Sequence, residues 1–186
     1  MPSRQARSLP SLFLMTDERM GDALWRALER LPRGAGVVFR HYRLSAAERR
    51  ALFEQVRVIA RRRGLLLLLA GPERLARAWA ADGVHGPSPH HLSARPLLRT
   101  APAHDRPAWI AGRRRGCDLL FVSPLFSTRS HPGASALGMV RTGLMLGPDR
   151  DRAVALGGMT HRRARSCAAI GIRRWAAIDA WTGADA

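Results

Sequence analysis

Gly64-Leu65-Leu66-Leu67-Leu68-Leu69-Ala70-Gly71 is the stretch on which the fold turns. Five consecutive leucines bounded by glycines are too short for a helix. As a strand they carry leucine on both faces, so both faces must be buried. A strand with one wet face would alternate apolar and polar residues; this one does not, and helices must therefore cover a mostly parallel sheet. The flanks agree. Upstream, Gly36–Phe39 is another short apolar run, joined to the leucines by a segment that opens at Ser45 with Glu48 three residues on, a capping-box signature of a helix start. Downstream, Glu73–Trp79 has helical spacing and Gly83–His85 is the next short run.

Extended in both directions, the same alternation spans the chain. Leu12–Met15 precedes a helical stretch, Ala23–Leu31, with apolar positions at Leu24, Trp25, Leu28 and Leu31. After Gly83–His85 come Leu97–Ala101, Arg106–Arg115, Leu119–Val122, Ala153–Leu156, His161–Ile170 and Trp175–Ile178. Eight strands in regular βα order predict an α/β fold of the (β/α)8 TIM-barrel type, as one domain over residues 1–186. It is compact, since such barrels commonly reach about 250 residues. The segment after Gly83–His85 contains Pro87, Pro89 and Pro96, so the fourth helix is expected to be weak. Few residues follow Ile178, and the final helix is expected to be clipped.

The charge balance is extreme: 31 basic residues against 14 acidic, a net charge of +17. Taken alone that points to an anionic surface or nucleic acid. Yet the chain has no lysine and no asparagine, a bias that affects the whole composition. Without lysine, Schiff-base chemistry and the phosphate-binding P-loop are both excluded. The arginines also sort by position. Arg61–Arg63, Arg113–Arg115 and Arg173–Arg174 all sit just before strands, at helix C-termini where cations complement the helix dipole. That is the stability face of a barrel, away from the βα loops. A solvated structural role accounts for most of this charge, and nucleic acid is not the expected partner.

Cys117 and Cys167 lie far apart with no paired spacing, so neither a zinc knuckle nor a disulfide framework follows. Leu12–Met15 is too short for a signal segment and Leu65–Ala70 too short for a membrane span. A reduced, cytoplasmic protein with no membrane association is expected. The histidines mark the other face. His41, His85, His90, His91, His104, His131 and His161 fall at or just after strand C-termini, on the side where barrels place function.

Several segments then resemble one family, thiamine phosphate synthase and its TenI relatives. Leu14-Met15-Thr16-Asp17 is similar to the family's opening strand, and Val38-Phe39-Arg40 to the end of its second. Ala81-Asp82-Gly83-Val84-His85 matches its ADGVH motif. Gly116-Cys117-Asp118-Leu119 with Ser123-Pro124-Leu125-Phe126-Ser127-Thr128 resembles GADY…GPVFPT. Leu137-Gly138, Ala155-Leu156-Gly157-Gly158-Met159 and Ala176-Ala177-Ile178 follow in order.

The resemblance implies a thiazole phosphate held by backbone amides after strands seven and eight, at Gly157, Gly158, Ile178 and Asp179. The chemistry of those residues is compatible, since glycines let a backbone approach an anion and the next helix N-terminus is electropositive. Asp179 departs from the small polar residue usual there, and its carboxylate repels phosphate. Arg40 is the implied anion clamp, with Thr128, Ser130 and His131 in the strand-six loop as further ligand contacts. Other synthase residues are missing. Tyr42 stands in place of a lysine, Ala70-Gly71 in place of Asn-Asp, His90 in place of the second magnesium carboxylate, and His131 in place of a lysine. Magnesium prefers carboxylate oxygens, so no magnesium cofactor is expected where Gly71 and His90 replace them.

TenI proteins tautomerise a thiazole carboxylate phosphate, a proton transfer without a metal. By resemblance its acid/base is His104, although Pro102 replaces the family's serine nearby. The expectation is thus a thiamine-biosynthesis protein that binds a small phosphorylated thiazole or pyrimidine ligand, TenI-like, with His104 catalytic. A divergent thiamine phosphate synthase stays open, as does a non-catalytic phosphate-ligand or nucleic-acid-associated protein. No metal site is assigned, because spacing across barrel loops does not show which histidines converge. A homo-oligomer also stays open.

Overall fold

Alternate leucines of the run go to opposite sides of one wall. In the computed structural model, which describes residues 9–86, 97–128 and 135–181, Leu66, Leu68 and Ala70 face inward with Phe13, Val38, Phe121 and Val154. Leu67 and Leu69 face outward into a second core shared with the helices. The period of two that hid in a uniform run is therefore real. The strand begins one residue later than its composition predicts, at Leu66. Leu65 instead completes the turn off the preceding helix, where its N–H reaches the Ala60 carbonyl.

The strands are β1 Leu12–Met15, β2 Gly36–Phe39, β3 Leu66–Ala70, β4 Gly83–His85, β5 Leu98–Ala103, β6 Leu119–Val122, β7 Ala153–Ala155 and β8 Arg174–Ala177. Each pairs in parallel with its sequence neighbour, and β8 returns to β1 with Ala176 opposite Phe13, closing the barrel. The helices are α1 Ala23–Arg30, α2 Ala46–Arg63, α3 Glu73–Ala78, α4 Arg106–Arg114, α5 Gly138–Leu146 and α6 His161–Ala169. The (β/α)8 architecture expected from the alternation is the one observed. The capping box on α2 is present, with Ser45 accepting from the Glu48 N–H and Glu48 accepting from the Ser45 N–H.

The other elements end within one residue of their expected bounds, except β5 and the helix after β6. Strand β5 runs on to Ala103, because Pro102 sits where the strand can dispense with an N–H. Helix α5 was not foreseen, since Gly138, Thr142 and Gly143 lower its intrinsic propensity. The weak fourth helix was expected mostly within residues 87–96, which lie outside the described residues. Among the described residues β8 is followed by a short 3-10 turn, Asp179–Trp181. Among the described residues no helix is long and apolar enough to cross a membrane.

The motif residues at the strand N-termini carry the lower rim of the barrel. The Asp82 carboxylate accepts the Leu67 N–H at 3.0 Å, and the Asp118 carboxylate accepts the Arg99 N–H at 2.8 Å. Each thus satisfies an N–H of a neighbouring strand. Gly83 follows Asp82 because a Cβ there would lie 2.5 Å from the Leu98 carbonyl oxygen. Glu73 is buried and clamped by Arg77 and Arg99, both at 2.6 Å, tying α3 to β5. The Asp82→Ala variant leaves the Leu67 N–H without its acceptor and should lower the urea-unfolding free energy by about 2 kcal/mol. An unchanged midpoint would show that Asp82 does not support the rim.

Candidate functional site

Thr16, the first residue after β1, is fully buried and organises the upper rim. Its hydroxyl oxygen accepts the Arg40 backbone N–H at 3.0 Å and lies 3.0 Å from His41 Nδ1. The next residue, Asp17, pairs with Arg19 at 2.7 Å and stands 4.0 Å from the Arg40 guanidinium. Burial alone would raise the Asp17 pKa, but the Arg19 hydrogen bonds and charge, with Arg40 behind them, hold it below the usual carboxylate value. Thr16-Asp17 therefore holds Arg40 from both its backbone and its charged end.

Arg40 lines a cavity of about 520 Å³ at the C-terminal mouth of the barrel. The other walls come from the loops after β5, β6, β7 and β8. Of the residues singled out from the sequence, Arg40, His104, Thr128, Gly157, Gly158, Ile178 and Asp179 all line it. Ser130 and His131 lie outside the described residues. The polar side chains missed by sequence reasoning are Ser123, Ser127, Thr160 and Arg163. Thr160 had a signal, because it caps the helix that follows the diglycine turn.

That turn is built from close approach. Gly157 and Gly158 have φ of +94° and +60°, and a Cβ on Gly158 would lie 2.4 Å from the Ser127 carbonyl oxygen. The β6 loop lies directly over it: Leu125 and Phe126 donate their N–H groups to the Leu156 and Gly157 carbonyls at 2.8 and 3.1 Å. Helix α6 then starts at the cavity wall, with the Thr160 hydroxyl accepting the Arg163 N–H. Its first turn directs backbone N–H groups and the positive end of the dipole toward this side.

His104 has one defined tautomer. Its Nδ1 lies 2.8 Å from the Ser123 carbonyl oxygen, which can only accept, so Nδ1 carries the proton. The Ser123 hydroxyl is 3.3 Å from the same nitrogen. In the neutral ring Nε2 is then the basic atom. A side chain oriented by a backbone carbonyl, with its other nitrogen basic, suits proton transfer.

The remaining described histidines, although they fall at or after strand C-termini, do not line this cavity. His41 is buried against Thr16 and stacks on Phe39 at 4.8 Å. His85 is buried with Nδ1 2.8 Å from the Thr100 hydroxyl, which itself donates to the Val84 carbonyl. His161 packs against Trp175 and Trp181 at 5.0 and 5.5 Å. Each is held by its own local partners. His90 and His91 lie outside the described residues. Among the described residues no three His, Cys, Asp or Glu side chains are grouped to hold a metal.

At the end of β3 the oxygens are already committed. Arg49, from α2, donates to the Arg40 carbonyl at 2.9 Å and the Ala70 carbonyl at 2.7 Å. It also lies over Phe39, Tyr42 and Trp79, 5.5 to 5.9 Å from the ring centroids. Gly71 has φ +148°, a conformation suited to glycine, so an aspartate would be strained there.

Eight parallel strands closed in chain order, with a cavity walled by the loops at their C-terminal ends, define a (β/α)8 barrel with its site on the usual functional face. The family model for thiamine monophosphate synthase matches residues 12–181, and the chain belongs to that family. It is 29% identical over 169 residues to a putative thiamine-phosphate synthase 2 of Aquifex aeolicus, covering 86% of this chain and 90% of that one. The thiamine phosphate pyrophosphorylase of Pyrococcus furiosus superposes with a TM-score of 0.76 at 22% identity, over 96% of this chain and 90% of that chain. The enzyme of the same name from Bacteroides thetaiotaomicron gives 0.62 at 18%, over 95% and 87%. At those identities the two structures speak to the fold alone.

Burial, with some help from Arg40, lowers the His85 pKa from 6.5 to about 4. The folded protein therefore keeps this ring neutral while the unfolded chain takes up a proton first as pH falls. Stability should be complete above about pH 6.5 and should decline by about 3 kcal/mol as pH drops to 4. His85→Asn retains a donor toward Thr100 without a titrating ring. Urea unfolding at pH 7 and pH 5 should show a smaller loss for the variant; equal losses would remove His85 as the cause.

Proposed function

We propose that this chain binds a thiazole phosphate or thiamine phosphate as TenI-type members of its family do, and that His104 moves a proton on the bound thiazole. The observation that carries this reading is that the basic Nε2-bearing ring of His104 and the diglycine turn share one cavity with Arg40. The phosphate would lie at Gly157-Gly158 and the N-terminus of α6, where backbone N–H groups and the helix dipole favour an anion. Ile178 and Asp179 would close the pocket beside it. His104 would then take a proton through Nε2 and return it to the neighbouring position of the thiazole, with the Ser123 carbonyl holding the ring in orientation.

Membership of the family does not by itself favour tautomerisation over coupling. The residues at the β2–β3 rim argue for the former. Carboxylate-held magnesium does not fit there, since Ala70 and Gly71 carry no oxygen-bearing side chains and the Ala70 carbonyl already serves Arg49. Stabilising a departing pyrophosphate needs preorganised positive charge on its oxygens. Tyr42 supplies none. A cytoplasmic protein acting on a small phosphorylated ligand, with no nucleic acid, completes the proposal.

Proton exchange on the thiazole carboxylate phosphate, followed by NMR in heavy water, tests it. Wild-type protein should accelerate exchange and His104→Ala should lose at least ~100-fold of that rate. Equal rates would remove His104 as the acid/base. Coupling of the pyrimidine diphosphate to the thiazole phosphate with magnesium should be undetectable, and measurable turnover would restore the synthase reading. Arg40→Ala should weaken binding of the phosphorylated ligand about tenfold by calorimetry. Undiminished affinity would exclude Arg40 as a clamp.

A further inference from the structure

Helix α6 opens with His161-Arg162-Arg163 and has no acidic residue in its first turn. Cations at a helix N-terminus oppose the macrodipole, so this choice works against the stability of the helix itself. Two of these side chains have ordinary surroundings or none that bear on the site; His161 packs on tryptophans. Arg163 is different, because its guanidinium lines the cavity.

Two loops fix that guanidinium. It donates through Nη1 to the Gly158 carbonyl and lies over the Phe126 ring at 4.8 Å. Phe126 is itself tied to the diglycine turn by its N–H on the Gly157 carbonyl. The fit depends on glycine, since a Cβ on Gly158 would lie 3.0 Å from Arg163 Nη1. Holding the Gly158 carbonyl also orients the peptide whose N–H belongs to Met159, another lining residue, and polarises that donor. Across the same cavity stands Asp179, whose carboxylate disfavours an anion close to it.

We propose that Arg163 is the specificity-determining residue for the phosphate group of the ligand, clamping it beside the diglycine turn. This rests on the phosphate-ligand reading above. A guanidinium has five donors in a planar fork, and those beyond Nη1's bond to Gly158 suit a phosphate edge. Backbone amides and the α6 dipole would hold the group, and Arg163 would make the cavity discriminate a phosphorylated ligand from its alcohol. The ligand would then complement the guanidinium of Arg163 together with the Gly158 carbonyl and the Phe126 ring.

Calorimetry with three probes tests this: hydroxyethylthiazole phosphate, unphosphorylated hydroxyethylthiazole and inorganic phosphate. Arg163→Gln should raise Kd for both phosphates about tenfold and leave the alcohol unchanged. Arg163→Lys, which keeps charge but not the fork, should fall between. An equal loss for phosphate and alcohol would mean a structural role and would overturn the assignment, as would no loss at all. If wild-type protein binds inorganic phosphate in an Arg163-dependent way but not the thiazole phosphate, the ligand class is wrong and the Arg163 assignment stands. If it binds neither phosphate, both fall.

Discussion

Phe13 meets Phe121 edge-on at 5.1 Å across the inside of the barrel, and the rest of the molecule is arranged around that contact. The space exists because Gly36 lies beside Phe13 on the neighbouring strand, where a Cβ would come within 2.2 Å of the ring. A barrel interior must be filled by side chains, or the ring collapses or stays open. Here two phenylalanines fill it alongside Leu68, Leu119 and Val154, and small residues at Ala70 and Ala176 leave room. Closure between β8 and β1 follows, and closure brings the β7 and β8 loops into the same cavity as Arg40 on β2.

Polar residues at the two rims do different work. At the lower rim Asp82 and Asp118 serve backbone N–H groups of neighbouring strands, and Glu73 at the start of α3 is held by Arg77 and Arg99. At the upper rim Thr16 holds the Arg40 backbone and the Ser123 carbonyl holds His104 Nδ1, in each case leaving the reactive end directed elsewhere. ADGVH, the motif most diagnostic of the family, therefore belongs largely to stability. Its histidine is neutral and enclosed, in keeping with a structural part.

What the sequence made legible follows the same division. Strands were legible wherever apolar runs were bounded by glycine or proline, and α2 was legible from its capping box. Helix α5 was not, since two glycines and a threonine hide a helix that depends on packing against α4. The cavity residues Arg40, His104 and Gly157-Gly158 could be named because each sits at a strand end with a motif around it. Arg49 and Arg163 could not, because among so many arginines nothing local distinguishes a guanidinium over an aromatic ring from one in water. Only the fold brings Arg49 over Tyr42, or Arg163 over Phe126. The scattering of the histidines was hidden for the same reason: strand-end position does not reveal whether a ring turns into the cavity or into a wall.

The absence of lysine now has a chemical consequence at the site. Every cation described around the cavity is a guanidinium, which stays charged and neither gives nor takes a proton under ordinary conditions. Such groups can bind and orient an anion, but they cannot serve as acid or base. On the proposed reading, proton transfer falls to the imidazole of His104, with hydroxyls and Asp179 nearby. A pocket with fixed positive charge and one oriented imidazole suits a reaction that relocates a proton on a tethered anion. On the proposed reading it suits less well one that must shed a highly charged leaving group, which needs preorganised positive charge on the departing oxygens. At the β2–β3 rim Arg49, half-buried, lies over three aromatic rings and donates to two carbonyls, so its guanidinium is engaged within the protein.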